Sequence, residues 1–216
     1  MPNLQDYLTD TRYLLHDSAG NYWSDAELTS YINEARNKVV GDTGCNRSLQ
    51  VLPTVTKGVE VYNYSSFPID VAQGMASTID VLNVTLLWGN SRIVLGQMSF
   101  SEFNARFRTY QNLESRPIAF AKYGQSSIYL GPSPDQTYSI ELDTVVLPKQ
   151  LAGLADVCIL NFPYTSPVPY HAAYRAKYKE QSFAEANNYH QEYILKCKEA
   201  LVQTLTRVIP TMYSAV

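Results

Sequence analysis

The sequence predicts an α+β protein on three observations. Apolar residues recur at helical spacing near both ends of the chain. Between them, alternating and β-branched runs are separated by Gly-Asn and Gly-Gln pairs, the pattern of strands joined by turns. The hydrophobic period changes near residue 49 and changes back near 167. The expected organisation is a helical bundle formed by residues 1–48 and 152–216. Into it is inserted an antiparallel β-domain, 49–151, with one short helix near 100–110. Each terminal helix pair needs a partner face, because short amphipathic helices are marginal alone.

The first helix is predicted over 4–15, where Leu4, Tyr7, Leu8, Thr11, Leu14 and Leu15 fall at helical spacing. Gly20-Asn21 breaks the pattern. Ser24-Asp25-Ala26-Glu27 has the form of a capping box, with Ser24 as N-cap and Glu27 reaching back. The helix it opens carries Leu28, Tyr31, Ile32, Ala35 and Val39 on one face, and Gly41 and Gly44 end it.

Val59 to Tyr62 alternates, and Ile79 to Trp88 is a β-branched run. Gly89-Asn90 turns the chain into a return strand, Arg92 to Leu95. Ser99 and Glu102 form a second candidate capping box, with Phe100, Phe103 and Phe107 on one face as core packing. Pro117–Tyr123 and Ser127–Leu130 flank the turn Gly124-Gln125. A rigid loop, Gly131 to Asp135, precedes alternation from Tyr138 to Val146. Residues 151–170 are irregular and apolar, with Pro163, Pro167 and Pro169. Two helices come next, over about 170–181 and 184–208. The second places Tyr189, Tyr193, Cys197, Leu201 and Leu205 at four-residue intervals, and Pro210 ends it.

Composition narrows the function. Of 216 residues, 45% are hydrophobic and only 17% charged, against a usual share of roughly 25%. Much of the polar surface therefore falls to Tyr, Ser, Thr, Asn and Gln. The 17 tyrosines suit contact surfaces, since the phenol ring is stiff, broad and amphipathic. A net charge of −3, with no tail or block that stands out, argues against a tight grip on nucleic acid. Cys45, Cys158 and Cys197 are an odd, widely spaced set, which implies reduced thiols in a cytoplasmic product and not a disulfide framework. The opening MPNLQDYLTDTRYLL is too acidic for a signal peptide, and no apolar run reaches the ~20 residues that span a bilayer.

No catalytic constellation is visible. His16, His171 and His190 lack the spacings of a zinc site, and GxSxG, GxGxxG and P-loop patterns are absent. Arg106 and Arg108 flank Phe107, and a solvated helix face is preferred to phosphate contact. The expectation is a non-enzymatic assembly protein, with no catalytic residue, metal or cofactor. The alternative is a receptor- or carbohydrate-binding β-domain of a tail component, whose cue would be Trp and Tyr exposed on one sheet face. Trp88 in an apolar strand and Trp23 beside a helix cap favour core roles for both.

Several segments, in order, resemble the head-to-tail adaptors of tailed bacteriophages, the group that includes tail tubular protein A of short-tailed phages. They are Trp23-Ser24-Asp25-Ala26-Glu27-Leu28 with Tyr31 to Ala35, then Pro117 to Tyr123, Ile128 to Asp135, and Tyr138 to Leu142. The specificity lies in the combination, since each segment alone is turn and strand chemistry. The resemblance implies a virion protein forming a ring of twelve copies beneath the portal. Such a ring extends the DNA channel and anchors the tail nozzle or fibres. Its partners would be itself, the portal, nozzle or fibre proteins, and genomic DNA passing without specific binding; no membrane is implied. The uncharged tail with Pro210, Met212, Tyr213 and Val216 is the expected portal-docking element.

Overall fold

The computed structural model describes residues 1–64, 74–108 and 114–205. The chain divides into two compact units: Met1–Cys45 with Pro148–Val216, and Asn46–Leu147. The class is α+β, with helices in the first unit and two sheets in the second.

The first unit holds α1 (Leu4–Leu14), α2 (Asp25–Thr43), α4 (Val168–Lys179) and α5 (Phe183–Leu205). Helix α4 packs against α5, α2 and α1, and α2 also touches α1 and α5. Local chemistry sets the ends. Asn3 and Asp6 form a full capping box at α1, in addition to the two expected from the sequence. Ser24 caps α2 by accepting the Glu27 N–H at 3.3 Å. Glu27 does not reach back as expected. Its carboxylate accepts instead from Tyr31 Oη at 2.8 Å and from Lys179 Nζ on α4. Gly41 lies inside α2, and only Gly44 ends it, in the left-handed region at φ 61° with its N–H on the Val40 carbonyl.

The buried seam of α5 is Ala186, Tyr193, Cys197 and Ala200, not the strict four-residue series. Four-residue steps drift around a helix of 3.6 residues per turn, so Leu201, late in the series, is only partly covered. Tyr189 still finds a use, donating from Oη to the Leu14 carbonyl at the end of α1 at 2.5 Å. The part of this helix expected beyond 205 lies outside the described residues.

The second unit has two four-stranded sheets. One has the order β1 (Arg47–Val55), β8 (Tyr138–Pro148), β3 (Met75–Trp88), β4 (Ser91–Val94). The other runs β2 (Val61–Asn63), β7 (Ser127–Gly131), β6 (Ala119–Tyr123), β5 (Gly96–Met98). The registered pairs are antiparallel except that β5 joins β6 in parallel, Gly96 opposite Ala119. Both sheets contribute to one core that includes Val81, Val84 and Leu86 of β3, Phe120 of β6, Ile128 and Leu130 of β7, and Ile140 and Leu142 of β8. Helix α3 (Phe100–Phe107), capped by Ser99, lays Phe103 fully buried against β7. Its Phe100 meets Tyr123 and Tyr129 with ring centroids 4.2 and 5.0 Å apart. The three phenylalanines are packing residues.

Candidate assembly surfaces

His171 and His190 sit in packing roles. They meet Tyr174 and Tyr193 between α4 and α5, with His171 5.0 Å from the Tyr193 ring. Burial first, then electrostatic opposition from Arg175, His190 and Lys38, pushes the His171 imidazole down to about 4. Tyr193 donates to Asp42 at 2.6 Å. His16 sits just beyond α1 in the left-handed region, at φ 56°. No group of three His, Cys, Asp or Glu suited to a metal occurs among the described residues, and no described helix is long and apolar enough to cross a membrane. Arg108 is committed to Glu60 at 3.2 Å and to the Tyr129 ring, and Arg106 lies over Phe107.

The two tryptophans differ. Trp23 is buried, with Lys179 over its ring and Tyr31 at its edge. Trp88 is 42% exposed at the end of β3, against the core role expected of it. It is the last residue of β3, next to the Gly89-Asn90 turn. Arg116 covers its ring at 4.7 Å and Tyr138 abuts it at 5.9 Å, so it offers no open aromatic platform.

The described surface does present apolar side chains on rigid backbone. The segment after β8 is the firmest case. It is irregular yet held at many points. Asn33 of α2 bonds the Leu151 backbone twice, at 2.9 and 3.0 Å. The buried Arg36 donates to the Lys149 carbonyl at 3.0 Å, to Asn33 Oδ1 at 2.9 Å and to Cys158 Sγ at 3.2 Å. The Leu154 and Asp156 carbonyls take the free N–H groups of Gln5 and Leu4 at the start of α1. Asp156 in turn accepts from the Ala152 and Gly153 N–H groups, both at 2.8 Å. Leu154 and Val157 stand 52% and 60% exposed on this tied backbone, and Phe162 just after it is 75% exposed.

A second apolar patch is on the β1–β8–β3–β4 sheet. Leu49 and Val51 point outward from β1 at 65% and 50% exposure, while Gln50 between them is buried and donates to Thr78 Oγ1 at 3.1 Å. Opposite Leu49 and Val51 lie Asp143 and Glu141, which pair with Arg47 and Arg92. Two apolar side chains are thus bordered by two charge pairs on this face.

The sequence family agrees with that geometry. The chain belongs to the SU10 adaptor protein family, whose model matches residues 2–211. This adaptor is thus a structural protein of a phage and a virion component. No curated protein matches the chain. The expected portal-docking residues Pro210, Met212, Tyr213 and Val216 lie outside the described residues of the adaptor.

Proposed function

We propose that this adaptor forms a ring of twelve copies beneath the portal, in the manner of tail tubular protein A. The ring extends the DNA channel and anchors the tail nozzle or fibres. In this reading the terminal helices make one bundle interrupted by the β-domain, and the chain assembles into the virion after synthesis in the host cytoplasm. The observation that carries it is the family match over nearly the whole chain. The exposed apolar side chains on the pinned 149–162 segment and on β1 support it as contact surfaces. The acidic balance suits a channel through which DNA slides, since a lysine- or arginine-rich wall would hold phosphates by counterion release. The tail from Pro210 to Val216 is the portal-docking element, because it has no charged side chain to favour free solvation.

One experiment tests this. The purified chain, whole and lacking residues 210–216, is weighed by mass photometry and imaged by electron microscopy, alone and with portal rings. A ring of the whole chain on the portal is expected, with weaker capture of the shortened chain. A chain that stays single and ignores the portal would overturn the ring reading. Unchanged capture of the shortened chain would overturn the tail's role.

A further inference from the structure

The directions of the helices bring two cysteines toward each other. Lys179 pairs with Glu27 and Arg175 with Glu34, so α4 runs antiparallel to α2. Tyr178 meets Phe183, Tyr174 meets His190 and His171 meets Tyr193, so α5 folds back antiparallel to α4. Helix α5 is therefore parallel to α2, and the two touch. Tyr193 Oη donates to Asp42 at 2.6 Å and fixes their register. Cys197 lies one turn, about 6 Å, farther along α5 from Tyr193. Cys45 lies beyond Asp42 in the same direction, just past the Gly44 cap.

Both are thiols; Cys45 is partly exposed and Cys197 is buried. Burial raises the pKa of the Cys197 thiol, Tyr193 works against it, and Asp42 and then Cys45 add to the rise electrostatically, so Cys45 is within range of its charge. Cys158 is differently engaged, with its Sγ accepting from Arg36 Nε at 3.2 Å.

We propose that Cys45 and Cys197 are a redox modification site, two thiols under reducing conditions and a disulfide within one chain under oxidising ones. A virion component meets both, since disulfides persist at virion surfaces and are rare in the cytosol. The oxidant is a small-molecule disulfide such as oxidised glutathione. The Cys45 thiolate attacks it, its S–S bond breaks, and one glutathione thiolate leaves. That thiolate takes the Cys197 proton, and Cys197 then attacks the Cys45 sulfur and displaces the second glutathione. Two thiols are oxidised to one S–S bond, and the oxidant is reduced to two glutathiones that carry both protons. Cys45 goes first because it is the more exposed and burial keeps Cys197 protonated. The bond ties α5 to the end of α2, where the chain passes into the β-domain.

The test uses the full chain, purified with a reductant and then exposed to oxidised glutathione. Remaining thiols are alkylated, and linked peptides are read by mass spectrometry. A Cys45–Cys197 link is expected as the main product, with both thiols lost to alkylation. In denaturant the shortest loop, Cys158–Cys197, should close most readily, so the native pattern reports the fold. Cys197→Ser should leave glutathione on Cys45. If that variant does not fold, Cys45→Ser, at a partly exposed position, decides by forming no link. Retention of both thiols in the native unaltered chain would overturn the proposal. So would glutathione retained on Cys45, a link between two copies, or the denatured pattern under native conditions.

Discussion

Asn33 grips Leu151 by both backbone groups: its Oδ1 accepts the Leu151 N–H at 2.9 Å and its Nδ2 donates to the Leu151 carbonyl at 3.0 Å. A side-chain amide thereby stands in for a neighbouring strand and fastens a chain segment 118 residues away to α2. The same Oδ1 also receives Arg36 Nη1, so one residue organises both a loop and a buried guanidinium. Asn33→Ala removes three bonds and leaves Arg36 short of an acceptor. A loss of about 2–4 kcal/mol is expected, from a buried charge and partly buried amide groups. Chemical denaturation of a monomeric form measures it. Hydrogen exchange should show faster opening at 149–156 than elsewhere. A loss spread evenly over the chain would mean that Asn33 does not act through this loop.

At the start of α2, Ser24 accepts a single N–H, and Glu27 does not complete the box. Ser24→Ala should therefore cost about 1 kcal/mol, the size of one lost N-cap. Glu27→Gln should behave differently. It weakens the links to Lys179 and Tyr31 and so loosens α2 from α4 without fraying the first turn. Thermal unfolding gives the first result, and exchange rates at residues 25–28 separate the two.

Local signals are the legible ones. The caps at Ser24 and Ser99, the turns at Gly89 and Gly124, and the helix-ending Gly44 depend on neighbours within four residues, so their residue types announce them. Strand β1 is hidden because its alternation is inverted. Gln50 is inside, bonded to Thr78, while Leu49 and Val51 are outside, so a hydrophobic pattern assigns them to the wrong faces. The pinned segment is equally opaque. Its order comes from Asn33, Arg36 and the start of α1, all more than 100 positions away, and no local pattern encodes such contacts. Trp88 shows the same limit: an apolar run marks a strand, but how much cover its last residue receives is a tertiary matter.

Gly131 marks where α3 lies on its sheet. A Cβ built there would fall 2.5 Å from Phe103 Cε2 and 2.7 Å from Phe107 Cδ2, well inside contact distance. Phe103 is fully buried and cannot swing aside. Gly131→Ala should cost about 1–3 kcal/mol as overpacking. Gly124→Ala, in a turn with nothing within 4 Å, should act only through its positive φ of 65°. If Phe103→Leu in the same chain relieves the Gly131→Ala loss, the clash is its cause; equal losses in both backgrounds would refute that.

The helical unit should also be acid-labile, and the sign is set by His171. Its folded-state value, about 4, lies below the ordinary 6.5, so the folded chain binds fewer protons than the unfolded chain between these values. The stability it contributes is complete above pH 6.5 and is lost as pH falls toward 4. Burial is the first cause, and the groups facing it leave the proton little compensation. Arg175, His190 and Lys38 oppose it, while Asp42 alone favours it and is already bonded to Lys38 and Tyr193. The full loss is on the order of 3 kcal/mol. The carboxylates held low weaken the fold around and below their ordinary values, 3.8 for Asp17, Asp42 and Asp156 and 4.5 for Glu27, at the acid edge of this window. Comparing the chain with His171→Gln isolates the effect, since the variant removes the titration whatever its own stability. The difference in unfolding free energy between pH 7 and pH 4 should shrink in the variant by most of that amount. Parallel pH profiles for the two would show that the acid sensitivity comes from another group.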